Sequence, residues 1–151
     1  MLNTYIDSSA TIAISSNVSH NSAIGANTEI DEDSYIHQSV LGSECKIGKN
    51  VRITDSIIEA DVVINEGCIV ENAHIRQGSI LEKHSKVTGG TIVCKNIHIK
   101  EGVTIPEGSI CGNMKYDESS QGFVESNETN QEFFVKGNIS YLPLNLKLKD
   151  T

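Results

Sequence analysis

The chain has 151 residues, of which 38% are hydrophobic and only 5% aromatic, and its formal net charge at pH 7 is −8. This length predicts one ordinary domain, and the acidic balance argues against direct binding of nucleic acid, which needs a basic face. No apolar run approaches the roughly 18 residues of a membrane span, and the N-terminal sequence MLNTYIDSSA lacks the basic and apolar regions of a secretory signal.

The four cysteines are too widely spaced for a metal site. Cys45, Cys68, Cys94 and Cys111 are separated by 23, 26 and 17 residues, without a C-x-x-C pair, so no zinc or other metal is expected. A disulfide framework is disfavoured because the chain is long and poor in cysteine for one. The thiols are expected to be reduced and packed in a cytoplasmic protein.

Aliphatic residues recur along the chain every five or six positions, a period that fits neither a helix nor an ordinary strand. Each of the eighteen anchors is Ile, Leu or Val, and they occupy positions 6, 12, 18, 24, 30, 36, 41, 47, 53, 58, 64, 70, 75, 81, 87, 93, 99 and 105. Such a repeat predicts an all-β solenoid in which three short strands and turns form one triangular coil. The anchors are expected to point into the prism and to stack on those of neighbouring coils.

Small or slender side chains follow most anchors at the fourth position, where a corner has little room. They are Ala10, Ser16, Ser22, Thr28, Ser34, Cys45, Val51, Val62, Cys68, Ser79, Ser85, Thr91, Val103 and Ser109. Gly and Asn recur between the predicted strands, as expected where corners need positive φ.

Three five-residue steps set the coils. They fall at 36 to 41, 53 to 58 and 70 to 75, which are 17 residues apart, so one face of the triangle is one residue shorter on successive coils. The predicted coils are 6–23, 24–40, 41–57, 58–74, 75–92 and 93–110, about six coils with a total length on the order of 30 Å.

The pattern stops after the last coil. We predict a β-helix domain over 1–112, an acidic flexible linker over 113–132, and an apolar C-terminal segment over 133–151. Because the open end of a solenoid is an unpaired edge, this segment is expected to fold back onto the β-helix; docking of a partner is the alternative.

No catalytic constellation is evident, so the chain is expected not to be an enzyme and to need no cofactor. The histidines His20, His37, His74, His84 and His98 occupy different offsets within the repeat, which disfavours a shared metal site. Many hexapeptide-repeat acyltransferases use one His as a general base; His84 is the best candidate here, although a lone His is more often structural. IGKN at 47–50 is a corner rather than a phosphate-binding loop.

Two groups of residues one coil apart predict a weakly basic patch. Lys49, Glu66 and Lys83 share one offset, and Arg52, Ile69 and Lys86 share another. A solvated face is the simpler interpretation. The alternative is a docking surface for an acidic partner, in which Lys49, Arg52, Lys83 and Lys86 are the candidate partner-binding residues.

The segments QSVLG, DSIIE and NAHIR at the short face give a six-six-five register that resembles the β-helix of sugar-nucleotide pyrophosphorylases and their relatives. The segments SVLGSECKIGKNVRI and VCKNIHIKEGVTIPEGSI, with the immediate stop and acidic tract that follow, resemble the epsilon subunit of translation initiation factor two B across 24–112. That subunit belongs to the guanine-nucleotide exchange factor for initiation factor two. A left-handed coil is expected because hexapeptide repeats go with that family of folds.

The resemblance implies a non-catalytic module. Its expected partners are other subunits of the exchange-factor complex, gamma in particular, and initiation factor two. The upstream nucleotidyltransferase-like domain and the downstream helical domain of the family have no counterpart in these residues, so an excised middle domain or a reduced homologue is expected. A homotrimeric acyltransferase that uses acyl-CoA and the C-terminal domain of a pyrophosphorylase remain the alternatives.

Overall fold

A computed structural model describes residues 3–112, 114–125, 134–136 and 141–143 of the chain. The described residues contain no helix. Strands β1 to β19 form three parallel sheets, in each of which a strand pairs with the third strand before it and the third strand after it. Such pairing requires the chain to circle one axis with three strands per turn, which makes the faces of a triangular β-solenoid and confirms the predicted fold class.

Each face of the prism is one sheet. The first face consists of β1 (Tyr5–Ile6), β4 (Ala23–Ile24), β7 (Val40–Leu41), β10 (Ile57–Ile58), β13 (His74–Ile75), β16 (Ile92–Val93) and β19 (Ile110–Gly112). The second face consists of β2 (Thr11–Ile12), β5 (Glu29–Ile30), β8 (Lys46–Ile47), β11 (Val63–Ile64), β14 (Ile80–Leu81) and β17 (His98–Ile99). The third face consists of β3 (Asn17–Val18), β6 (Tyr35–His37), β9 (Arg52–Thr54), β12 (Ile69–Glu71), β15 (Lys86–Thr88) and β18 (Thr104–Ile105).

The strand register confirms the predicted stacking of anchors. Ile58 pairs with Leu41 on one side and with Ile75 on the other, so the shortened step recurs at the same face of each coil. About six turns are complete before β19 begins another. Every anchor from Ile24 to Ile105 is at most 3% exposed, and those from Ile24 to Val93 have a coil above and a coil below.

The structure corrects the predicted position of the small side chains at the corners. The buried position lies two residues before the next anchor, so the short steps place Ser39, Ser56 and Ala73 there as well. Counting four residues forward from each anchor misses these three. The corner hydroxyl groups also bond to the backbone of the next coil. Ser34 Oγ donates to the Gly48 carbonyl at 2.7 Å and accepts from the Val51 N–H at 3.1 Å.

Two cysteines occupy the same corner positions as the hydroxyl residues. Cys45 Sγ lies 3.1 Å from the Glu59 carbonyl and Cys68 Sγ lies 2.9 Å from that of Glu82. Burial raises the pKa of both thiols, because the thiolate would lose its hydration. No disulfide joins the four cysteines.

The corners use left-handed backbone at equivalent positions of successive coils. One such column contains Asp33, Asn50, Gly67, His84 and Gly102. Asn and Gly adopt this conformation readily, whereas His84 does so with a φ of 58°. The stacking of the coils therefore overrides the weak local preference of His84.

Beyond the β-helix, the described residues form two antiparallel pairs. Strands β20 (Met114–Asp117) and β21 (Gly122–Glu125) pair with each other within the predicted linker. Strand β22 (Phe134–Lys136) pairs with β19, and β23 (Tyr141–Pro143) pairs with β22, which extends the first sheet at its edge. Residues 126–133, 137–140 and 144–151, which belong to the predicted linker and C-terminal segment, lie outside the described residues.

Candidate functional site

The functional surface of a filled prism is its outward side chains, which form one row along each face. The second-face row is Thr11, Glu29, Lys46, Val63, Ile80 and His98, and the third-face row is Asn17, Tyr35, Arg52, Ile69, Lys86 and Thr104. The first-face row is Tyr5, Ala23, Val40, Ile57, His74, Ile92 and Ile110. The first-face row carries no Asp, Glu, Lys or Arg, whereas the other two carry charges.

The first column of the predicted basic patch is an alternating ladder of charges. Two residues after the second-face anchors, successive coils carry Glu32, Lys49, Glu66, Lys83 and Glu101. Lys49 Nζ lies 3.3 Å from Glu32 Oε2. The hydrogen bond and charge of Glu32, with weaker effects of Asp31 and Glu66, raise the pKa of Lys49. This column is therefore mixed in sign rather than basic.

The second column contains Arg52, Ile69 and Lys86 as predicted, one above the other on the third face. Arg52 has intramolecular partners. Its guanidinium carbon lies 5.0 Å from the centre of the Tyr35 ring, and its Nε lies 3.9 Å from Glu71 Oε1. Such contacts hold the Arg52 side chain against the face.

The four candidate partner-binding residues thus differ in availability. Lys49 and Arg52 have carboxylates as neighbours, whereas Lys83 and Lys86 form no ion pair with any described residue. Lys86 lies on strand β15 and Lys83 at the corner before it, and both side chains are exposed. The role of all four in partner binding stays a prediction.

Two histidines contact carboxylates one coil away. Looking for histidines that share one offset in the repeat does not reveal these contacts. His74 Nε2 lies 2.7 Å from Glu59 Oε2, and His98 Nε2 lies 2.6 Å from Glu82 Oε1. In each pair the Glu follows one strand and the His lies on the strand stacked above. A coil has 17 or 18 residues, and each His lies two positions earlier in its coil than the Glu does in the coil before. Comparing residues 15 or 16 positions apart in the sequence would therefore reveal both pairs.

The Glu59 carboxylate has three partners at the edge of the first face. Besides His74, Arg76 Nε lies 3.4 Å from its Oε2 and the Gln77 N–H lies 3.4 Å from its Oε1. Burial acts to raise the pKa of Glu59, but the hydrogen bonds of His74 and Gln77 and the charges of His74 and Arg76 outweigh it, so the pKa lies below its ordinary value. This carboxylate is held ionised.

The best sequence candidate for a general base, His84, has no carboxylate partner within the part of the chain that the structure describes. It lies at a corner, where a Cβ at Gly67 would approach its Nδ1 to 2.3 Å, so the ring covers that glycine. His84 thus performs a packing role at this corner. His37 instead contacts Ser19 and stacks on Tyr35, with ring centres 5.9 Å apart.

Other sites are sparse among the described residues. A shallow groove of about 440 Å³ lies on the second face, and its lining includes Glu29, Asp31, Lys46 and Gly48. The described residues contain no group of His, Cys, Asp or Glu suited to a metal ion, and no candidate membrane-spanning helix. The groove combines opposite charges on an open face, which suits a polar surface contact better than an enclosed small molecule.

Comparison with known proteins decides between the families that share this register. The family model of the EIF2B subunit epsilon LbH domain matches residues 2–105, which include nearly all of the solenoid. The chain belongs to this family. It is therefore a β-helix module of a translation initiation factor subunit, as the resemblance of its sequence predicted, and the letters LbH denote the left-handed β-helix.

More distant relatives share the fold. The bifunctional protein GlmU of Geotalea uraniireducens is 34% identical over 100 residues, which are 66% of this chain and 22% of GlmU. GlmU of Thermodesulfovibrio yellowstonii is 29% identical over 105 residues, 62% of this chain and 23% of GlmU. The chain thus spans less than a quarter of the length of these curated relatives.

A solved acetyltransferase shows the same architecture. The structure of a point mutant of perosamine N-acetyltransferase from Caulobacter crescentus, with CoA and GDP-perosamine, superposes with a TM-score of 0.69. Its sequence is 17% identical, and the match covers 73% of this chain and 53% of that one. At this identity the likeness shows the fold alone.

Proposed function

We propose that the chain acts as a non-catalytic docking module of a cytoplasmic guanine-nucleotide exchange factor in translation initiation. It would join subunits of the complex, gamma in particular, and help to hold initiation factor two. The observation that supports this proposal is the match of the EIF2B epsilon family model to residues 2–105. The same residues form coils that run without an inserted loop from β1 to β18.

The architecture suits docking because its surface is extended and rigid. Stacked coils present rows of side chains at a fixed spacing of about 4.8 Å, and solenoids use such surfaces for binding. The buried anchors hold each row in place. Partners that are proteins rather than nucleic acids or membranes agree with the net charge of −8 and with the mixed signs of the outward rows. No cofactor is part of the proposal.

The two available lysines provide a test of docking. We expect the double variant Lys83→Glu/Lys86→Glu to weaken binding to the gamma subunit or to initiation factor two by tenfold or more, with binding measured by biolayer interferometry. The double variant Lys95→Glu/Lys100→Glu makes the same change of charge at other exposed positions; it is the matched control and should bind as the unaltered chain does. Equal binding by all variants would exclude these lysines as the docking surface.

A nucleotide-release assay tests the absence of catalysis. The chain is added to initiation factor two loaded with fluorescent GDP, and release is followed in excess unlabelled nucleotide. We expect no acceleration over the spontaneous rate. Strong acceleration by this chain would refute the non-catalytic proposal.

Acyl transfer is the second candidate, and the His74–Glu59 pair is the observation that favours it. A carboxylate at 2.7 Å holds the imidazole in one orientation, as a general base requires. Binding of acyl-CoA by calorimetry, and a transfer activity lost in both His74→Asn and Glu59→Gln, would establish this candidate. The C-terminal domain of a pyrophosphorylase, the other alternative, would show neither activity and would fail to bind initiation factor two.

A further inference from the structure

The first face exposes large apolar side chains on five of its seven strands. Tyr5 is 61% exposed, Val40 47%, Ile57 51%, Ile92 37% and Ile110 38%. These residues, with Ala23 and His74, form the outward row of one seven-stranded surface, which we name the apolar row. A contiguous row of this kind is more than the scattered apolar residues of an ordinary surface and marks an interaction site.

Beside the apolar row, Gly25 and Gly42 follow the anchors of two successive coils. A Cβ at Gly25 would lie 2.6 Å, and one at Gly42 2.7 Å, from the backbone of the next coil, so these glycines allow the coils to stack closely. Strands β22 and β23 extend this sheet at its edge, so their pairing does not cover the row.

The charges beside the apolar row are arranged to suit a second copy of the chain. In a chain of net charge −8, contact between copies is opposed unless carboxylates avoid one another. In the outward position next to the row, the two coils after Gly42 carry Glu59 and then Arg76. Glu59 and Arg76 already pair within one copy, with Arg76 Nε 3.4 Å from Glu59 Oε2. A two-fold axis that passes between their coils brings the same pair of the second copy beside them with opposite charges adjacent.

We propose that the apolar row is the interface of a homodimer in which two copies pack face to face with their prism axes antiparallel. The two-fold axis lies in the interface, between the coil of Ile57 and the coil of His74. This rotation reverses the order of the coils in the second copy. A residue at a given position along its strand therefore faces the residue at the same position along a strand of the second copy. Glu59 then faces Arg76 of the second copy, and each copy contributes this pair once.

The same operation brings apolar residues of the row together. Val40 faces Ile92 of the second copy, and Ala23 faces Ile110. Ile57 faces His74, and Gly42 faces Cys94. Small residues on the N-terminal coils thus meet larger ones on the C-terminal coils, which is the self-complementarity that a two-fold interface requires.

The size of the face sets the expected strength. The overlap runs from the coil of Ala23 to that of Ile110, five coil spacings or about 24 Å, and a face about 15 Å wide then buries roughly 360 Å² per copy. This is about half the area per partner of a standard specific interface. We therefore expect a reversible dimer that forms in the micromolar range or above rather than an obligate one.

Sedimentation velocity over a series of concentrations tests the dimer with two matched variants. Ile57→Glu places a charge in the apolar row, and Ile69→Glu places the same charge in the third-face row, between Arg52 and Lys86. Both change the net charge equally. We expect the unaltered chain and Ile69→Glu to dimerise as concentration rises and Ile57→Glu to remain monomeric; thermal melting checks that both variants fold.

A charge exchange tests the position of the axis. Glu59→Arg and Arg76→Glu should each weaken dimerisation by tenfold or more, and the double variant should restore it. Dimerisation by Ile57→Glu, a trimer, or a monomer at every concentration would overturn the proposal; a monomer would leave the row to a different partner. The oligomeric state is measured on the chain alone, so its outcome is independent of the proposed docking to other subunits.

Discussion

The N-terminal coils and the central coils share one repeat but differ in how their surfaces are stabilised. Residues 1–45 contain six carboxylates and no Lys or Arg, whereas residues 46–100 contain eight Lys and Arg and six carboxylates. The N-terminal corners pair through hydroxyl groups: Ser9 Oγ accepts the Asn27 N–H at 2.8 Å, and Ser15 Oγ accepts the Asp33 N–H at 3.0 Å.

The central coils keep such hydroxyl contacts, for example between Ser56 Oγ and the Ala73 N–H at 3.1 Å, and add contacts of charged side chains, as between Glu59 and both His74 and Arg76. Burial differs as well. The first anchor, Ile6, is 41% exposed, whereas Ile64 is fully buried. The described structure has a coil on only one side of Ile6 and on both sides of Ile64. The exposed end of the core is thus the N-terminal one, since Ile99 and Ile105 on the last strands of their faces are at most 1% exposed.

Burying a charge in the two regions should give the largest contrast. Ile64→Asp places a carboxylate between two stacked anchors, where its burial costs several kcal/mol, comparable to the stability of a small domain. Ile6→Asp should cost about 1 kcal/mol or less, because a half-exposed carboxylate keeps much of its hydration. Chemical denaturation followed by circular dichroism measures both variants.

Glu66 provides the control on the same coil. Glu66→Gln, two residues after Ile64, should change stability by less than about 0.5 kcal/mol because this position is outside the core. Equal stability of Ile64→Asp and the unaltered chain would contradict the inward assignment of the anchors.

Adding a side chain where two coils approach closely should give the second largest loss of stability. A Cβ at Gly42 would lie 2.7 Å from the backbone nitrogen of Ala60, and backbone cannot move aside as a flexible side chain can. We expect Gly42→Ala to destabilise the chain by about 1–3 kcal/mol, measured by thermal or chemical unfolding. At Gly90 the added Cβ would meet nothing within 4 Å, so Gly90→Ala reports only the cost of its positive φ, about 1 kcal/mol.

The sequence predicts the fold well because the period itself encodes the stacking. Each of the anchors is aliphatic, and the five-residue steps fix which strands meet, so the coil bounds follow by counting. The corner positions were predicted less well, because counting forward from an anchor fails at the short steps. Counting back from the next anchor finds Ser39 and Ser56.

The outward contacts were harder to predict because they depend on the neighbouring coil. Lys49 and Lys83 share an offset, but the same column adds Glu32 and Glu101, which turn a basic patch into a ladder. The His74–Glu59 pair joins residues at different offsets, so a search for repeated offsets cannot find it. His84 was chosen as a candidate base, and only its backbone conformation and its contact with Gly67 show a packing role.

A hydroxyl contact of the N-terminal coils should show a modest effect without pH dependence. Ser16 Oγ accepts the Ser34 N–H at 2.9 Å and donates to the Asp31 carbonyl. Ser16→Ala leaves these backbone groups without this partner and should cost about 0.5–1.5 kcal/mol. The loss in urea unfolding should be the same at pH 7 and pH 4, and at low and high salt. A loss that falls with salt would contradict a neutral hydrogen bond.

The ion-pair contact of the central coils should show the smallest effect, and one that depends on pH. Glu59→Gln removes the charge facing His74 and Arg76, and should cost about 0.5–1 kcal/mol at pH 7 because these side chains are partly exposed. The folded-state pKa of Glu59 is lowered, so its contribution is present above the unfolded value of about 4.3 and is lost as pH falls through the folded value. Urea unfolding at a series of pH values should show the difference between Glu59→Gln and the unaltered chain shrinking below about pH 4.3, while that of Ser16→Ala persists. If both differences followed pH alike, the contrast between the hydroxyl contact of Ser16 and the ion-pair contact of Glu59 would be wrong.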